Sequence, residues 1–158
     1  MALVTTPGAV DADTYASLAE AVAYVGTLTF AGKWPSGEPA QEALLKQAAR
    51  KMDTLSFKGT RAASAEAQAL AFPRAGLVDR DGYAIASNVV PRAVKTAQIE
   101  LALWLAKKDR TADPSPSTLK VGSLEISGSS RQAFPDHVMA ILAPFLNSYG
   151  CSVKLVRA

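Results

Sequence analysis

At 158 residues, with 49% apolar and 20% charged side chains, the chain has the size and composition of one globular domain, or one domain with arms. A chain of that length buries roughly two-thirds of its unfolded surface, so its core needs no metal, and the one cysteine, Cys151, excludes an internal disulfide. The net charge of +3 is mild, and Lys and Arg are scattered, the densest cluster being Lys107-Lys108-Asp109-Arg110; that argues against a dedicated basic DNA-binding face.

The N-terminal MALVTTPGAVDAD has neither the basic flank nor the apolar core of a signal peptide. The longest apolar run, Ile99 to Ala106, is broken by Glu100 and falls well short of the ~18 residues of a membrane span. A soluble protein of a reducing compartment is expected, free or as part of a particle.

Ser17-Leu18-Ala19-Glu20 is a capping box that predicts a first helix, with Leu18, Ala21, Val22 and Val25 on its apolar face and an end near Gly26. A loop with Trp34, Pro35 and Gly37 follows. A second helix starts near Pro39, where proline suits a first helical position. Leu44, Leu45, Ala48, Met52 and Leu55 give it an apolar stripe opposite Lys46, Gln47, Arg50 and Lys51.

Residues 62–71, AASAEAQALA, have high helix propensity and predict a short helix that Phe72-Pro73 stops. Leu77-Val78 and Tyr83-Ala84-Ile85 flank the turn Asp79-Arg80-Asp81-Gly82, so a small hairpin or an ordered loop is expected.

The third long helix runs from Pro91 to about Lys108. Val94, Ala97, Leu101 and Leu105 form one stripe while Ile99, Leu103 and Trp104 lie off it. A helix apolar nearly all round is buried centrally or pairs with another subunit. Residues 109–118 read as a polar, proline-rich linker, and the period-two alternation of 119–127 as a strand or hairpin arm that needs a partner in this chain or a neighbour. Gly128-Ser129-Ser130 reads as a joint. Pro135 opens a last helix with Val138, Ile141, Leu142, Phe145 and Leu146 inward, which Pro144 should kink or shorten and Gly150 ends. The tail CSVKLVRA is apolar and extended in character.

The expected fold is therefore mainly α: a small bundle of four to five helices with a short β element around 119–127 and an extended C-terminal tail. Within one domain, 1–108 is the helical core with loop 73–90, 109–130 the linker and arm, and 131–158 the last helix and tail.

Chemistry is sparse. His137, the only histidine, sits in the first turn of an amphipathic helix, and no G-x-S-x-G accompanies it. Asp79-Arg80-Asp81-Gly82 lacks the later acidic ligands of a calcium loop and reads as a turn. Cys151 and His137 are too few for a structural zinc, and no phosphate loop occurs. Trp34, Phe57, Phe72 and Tyr83, with Lys58, Arg61 and Arg74 nearby, are the residues a single-strand binder would use for base stacking and backbone contacts. No enzyme signature stands out, and no residue is assigned a catalytic, metal-binding or cofactor-binding role.

An ordered set of motifs spans nearly the whole chain to about Leu146: Thr14-Tyr15 before the capping box; Met52-Asp53-Thr54-Leu55; Gly59-Thr60-Arg61; Gln68-Ala69-Leu70-Ala71-Phe72-Pro73-Arg74; Val78-Asp79-Arg80-Asp81-Gly82; Pro91 with Val94, Lys95, Ala97 and Gln98; and Val121-Gly122-Ser123-Leu124. The set resembles a family of tailed-phage and prophage genomes often labelled "putative DnaT-like single-stranded-DNA-binding protein". Phe72 stands where that family commonly has Trp. The family in turn resembles the head–tail connector (adaptor) proteins of long-tailed phages, small helical subunits that form a dodecameric ring under the portal.

That resemblance implies a virion structural protein of the neck, made in the host bacterial cytoplasm and not an enzyme. Its implied partners are its own copies, the portal protein and the next tail-side neck or terminator protein, with genomic duplex DNA passing through the ring unread and no membrane involved. Trp104, Leu124, Ile126, Val153, Leu155 and Val156 are the residues expected to meet neighbours or portal. The alternative is a single-stranded-DNA-binding or replication-accessory protein; a small enzyme using His137 is a distant third.

Overall fold

The computed structural model describes residues 3–29, 31–64, 66–107, 117–121, 124–128 and 134–147. Four α-helices fall among them: α1 (Leu18–Val25), α2 (Glu38–Met52), α3 (Arg92–Lys107) and α4 (Asp136–Leu142). Two short antiparallel pairings accompany them, β1 (Thr60–Arg61) with β2 (Arg74–Ala75), and β3 (Ser117–Val121) with β4 (Leu124–Gly128). The chain is mainly α with a short β element, as its periodicities predict. The tail lies outside the described residues.

The capping box forms as read: Ser17 Oγ accepts the Glu20 N–H at 3.2 Å, and Glu20 Oε2 accepts the Ser17 N–H at 2.8 Å. Glu20 also meets Lys95 Nζ at 2.7 Å, which ties α1 to α3. In this two-turn helix Ala21 and Val25 face inward, while Val22, one position round from Ala21, is 48% exposed. In α2, Pro39 sits in the first turn, Arg50 and Lys51 lie at the negative end, and Leu45, Ala48, Ala49 and Met52 are buried.

Helix α3 settles the choice left by its sequence. Val94, Ala97, Gln98, Ile99 and every residue from Leu101 to Leu105 are buried by the chain itself. It is the central helix, packed against α1, α2 and α4. Pro144 shortens the last helix as expected: α4 ends at Leu142 and a 3₁₀ turn carries on through Ala143–Phe145. Beyond it the chain is stitched to the segment after α2. The Lys58 N–H donates to Phe145 O at 2.7 Å and the Asn147 N–H to Ser56 O at 3.0 Å, with a bridge between Phe57 and Leu146.

The helix predicted over 62–71 is absent; the described residues there form turns. Alanine propensity favours a helix, but a helix needs an apolar face to bury, and among the described residues of 62–69 the one that is buried is Gln68. Its amide holds the segment in another shape: Oε1 accepts the Ala63 N–H, while Nε2 donates to Leu70 O and Pro73 O, both at 2.9 Å. These groups lie at and beyond the two ends of the predicted helix, which would have left them without intrahelical partners. The β1–β2 pairing beside it depends on Gly59, which has φ +69°; a Cβ there would lie 2.2 Å from Ala75 O. After β2 the expected hairpin is minimal, a single bridge between Val78 and Ala84 around the Asp79–Gly82 turn.

Of the two forms expected for the arm, a strand or a hairpin, the structure has the hairpin pairing of β3 with β4. The register pairs Leu119 with Ile126 and Val121 with Leu124, leaving Gly122-Ser123 as the connection. Thr118 pairs with Ser127 and Lys120 with Glu125. Among the described elements the ribbon packs on none but itself.

One polar side chain crosses the core. Gln98, fully buried on α3, accepts the Tyr15 and Ala16 N–H groups on Oε1 at 3.1 and 2.8 Å. Its Nε2 donates to Thr14 Oγ1 at 2.5 Å and to Leu45 O at 2.9 Å. All four hydrogen-bonding positions of the amide are filled.

Gln98→Leu keeps the volume but strands two buried N–H groups and a carbonyl; it should cost about 3–5 kcal/mol in urea unfolding. Gly76, with φ +75° and nothing near its missing Cβ, is the natural control for Gly59. Gly76→Ala should cost about 1–2 kcal/mol from conformation alone, and Gly59→Ala clearly more; equal losses would mean the contact with Ala75 is relieved cheaply. Burial by itself raises the Glu20 pKa, but the Lys95 ammonium and the Ser17 N–H together hold it below the usual carboxylate range. A depressed carboxylate contributes stability above its unfolded pKa and loses it as pH falls through the folded value. Glu20→Gln, still able to cap, should therefore cost less than about 1 kcal/mol at neutral pH, and nothing in acid that protonates both states, as urea midpoints at the two pH values will show.

Candidate functional site

The Phe72-Pro73-Arg74 corner is built inward from both ends. Phe72 is 1% exposed and meets three rings edge to face: Phe57 at 4.8 Å, Tyr15 at 5.9 Å and Phe145 at 6.3 Å between centroids. The Phe72–Pro73 peptide bond is cis. Arg74 then turns its guanidinium onto backbone carbonyls: Nε to Lys58 O at 2.7 Å, Nη2 to Gly59 O at 2.8 Å and Phe57 O at 3.2 Å, Nη1 to Ala71 O at 3.3 Å. Burial first, and then Arg61 directly opposite it across the β1–β2 ladder, lower the Arg74 pKa. Asp53 anchors the corner from α2's end, accepting the Tyr15 hydroxyl and, at 3.1 Å, the Ala71 N–H. Burial raises the Asp53 pKa by more than these donors lower it, and burial together with the Asp53 charge pushes the Tyr15 phenol well up.

This disposes of most of the base-stacking set. Phe57 and Phe72 are core residues, and no base can reach their faces. Arg74 is spent on carbonyls, and Lys58 Nζ donates to Pro144 O at 3.0 Å. Tyr83, at 74% exposure, and Arg61 remain on the surface, and Trp34 is half-buried. The Asp79 carboxylate caps its own turn, accepting the N–H groups of Asp81 and Tyr83 at 2.9 and 2.8 Å. Arg80 fixes that turn to α4 through Ala140 O at 3.3 Å. Among the described residues no three His, Cys, Asp or Glu side chains gather as a metal site requires.

A second place lies where α1's end, α3 and α4 meet. Glu100, the single acid in α3's apolar run, accepts the Tyr24 hydroxyl on Oε1 at 2.6 Å and stands 3.4 Å from His137 Nε2 through Oε2. Burial, and then this carboxylate, push the Tyr24 pKa up to about 12. Beside the cluster a cavity of about 280 Å³ opens to solvent, lined by Leu28, Thr29, Glu100, Leu103, Trp104, Lys107 and His137. Among the described residues its lining holds one hydroxyl, that of Thr29, and no serine or cysteine.

Of the residues expected at an interface, Trp104 lies in this wall. It is 8% exposed, with the Lys51 ammonium 5.5 Å from its ring centroid and 5.4 Å from that of Phe134. Its own chain covers most of it, so its share in any interface is the edge that faces the cavity. Leu124 and Ile126 lie in β4; Val153, Leu155 and Val156 fall outside the described residues. The Tyr24–Glu100–His137 cluster escapes sequence reasoning, although an acid interrupting an apolar run was a visible sign of it.

No curated protein and no solved structure matches the chain. A family model described as "Putative DnaT-like ssDNA binding protein" matches it over residues 1–158. The chain belongs to that family.

Proposed function

We propose that this protein is a ring-forming structural subunit, a head–tail connector that joins portal to tail in a phage virion and performs no catalysis. The observation that carries the reading is the β3–β4 ribbon. A lone two-stranded ribbon is at best marginally stable in water, and among the described elements this one packs only on its own two strands. Contact with another copy would supply further packing. Head-to-tail contacts between identical copies satisfy every ribbon only when the ring closes. The likeness of the family to connector proteins supplies the setting, with portal, tail-side neck protein and passing duplex DNA as the other partners.

The family's description favours a second reading, binding of single-stranded DNA. Tyr83 and Arg61 are the exposed aromatic and basic residues left to serve it.

Mass photometry of the purified protein, and electron microscopy of virions that carry it, should give a closed ring and a stoichiometric neck component. A monomer at all concentrations, absent from virions, would end the connector reading. Titration of labelled single strands at several salt concentrations decides the second: a binder loses affinity steeply as salt rises, whereas a connector shows only weak attraction.

A further inference from the structure

We propose that Arg61, held opposite Arg74 on the β1–β2 ladder, is a contact for the phosphates of a nucleic-acid backbone, made alike with single strands and duplex. The proposal rests on the two readings above only in that DNA meets this protein, and it specifies where. Directly opposed residues of an antiparallel pair share a face, and like charges there are unfavourable. The fold nevertheless sets two guanidinium groups at that position. Arg74 is fixed by hydrogen bonds to the carbonyls of Phe57, Lys58, Gly59 and Ala71. These acceptors are neutral, so they satisfy its N–H groups and leave its charge standing. The same holds for Lys58, whose Nζ donates to Pro144 O.

Arg61 is exposed, and among the described residues nothing accepts a hydrogen bond from it and no carboxylate stands within ion-pair distance. Asp53 attracts both arginines at longer range, but its oxygens are taken by the Tyr15 hydroxyl and the Ala71 N–H. An oxyanion relieves the repulsion across the ladder. The planar fork of Arg61 can bind two oxygens of one phosphate, while Arg74, rigid beside it, adds its charge. The corner's own rings, Phe57 and Phe72, are buried, so they offer no face on which an unpaired base could stack. Phosphates are common to single and double strands, and they carry no sequence. Exposed charges hold a lone anion weakly, whereas a chain of phosphates adds the release of its counterions. A polyanion therefore suits this site better than free phosphate.

Fluorescence anisotropy of the full-length protein, with a labelled single strand and with the same strand made duplex, tests this at several salt concentrations. Arg61→Gln should weaken binding of both by roughly 5- to 10-fold and lower the slope of log affinity against log salt by about 1. Arg61→Lys, which keeps the charge and loses the fork, should fall between. Arg92→Gln removes an exposed charge at the start of α3 and should change little. Equal losses from Arg61→Gln and Arg92→Gln would overturn the site, since net charge alone would then explain them. A single strand bound more than roughly 100-fold tighter than duplex would overturn the phosphate contact, because bases would then carry the affinity. Poly-glutamate that displaces the strand as well as unlabelled DNA of equal charge does would overturn the choice of phosphate. Because Arg61 adds repulsion and no contact to the bundle, Arg61→Gln should melt at or above the parent temperature; a clear fall would mark a structural residue and count against the proposal. No DNA binding even at low salt would remove the site and leave the ring reading, which mass photometry decides independently.

Discussion

The architecture hangs on one amide. Gln98 sits at the centre of the most buried helix, where an unpaired polar group is expensive, and its four hydrogen bonds tie α3 to two other pieces of chain: the entry to α1 at Thr14–Ala16 and the middle of α2 at Leu45. By fixing the backbone of Tyr15 it aims the phenol at Asp53 and the Ala71 N–H. That contact positions Phe72, around which Phe57 and Phe145 gather, and places Arg74 over the carbonyls of 57–59. Apolar packing supplies most of the stability, but it is non-directional. The run from Gln98 through Tyr15 to Arg74 is what makes one arrangement of helices and loops preferable to its neighbours.

Helices that declare themselves by local chemistry were readable in the sequence. The Ser17–Glu20 box, the Leu45–Ala48–Met52 stripe and Pro144 each act within a turn or two, so pattern and structure agree. What stayed hidden was long-range. Nothing in AASAEAQALA says that Gln68 turns inward and spends its amide on Ala63, Leu70 and Pro73; glutamine is a common surface residue, and propensity argued for a helix. Gln98 was invisible for the same reason. Alternation over 119–127 left a strand and a hairpin both open, because period two reads the same in either; the pairing of β3 with β4 decides it. For the site, the aromatic and basic residues near the corner looked like a nucleic-acid surface on paper. Only their burial distribution shows that Phe57, Phe72 and Arg74 hold the fold and leave little of that surface free.

Family membership and geometry thus bear on different questions. Membership attaches a description that names single-stranded DNA. The geometry shows, among the described residues, a small cavity where apolar Leu103 and Trp104 stand beside charged Glu100, Lys107 and His137, and it leaves Tyr83 and Arg61 exposed.

The way the bundle closes also has a kinetic meaning. Helices α1 to α4 fill their core with residues of one chain, so their folding is unimolecular and indifferent to how much protein is present. Any assembly of copies would be a separate event that follows mass action, and dilution would reverse it without unmaking the core.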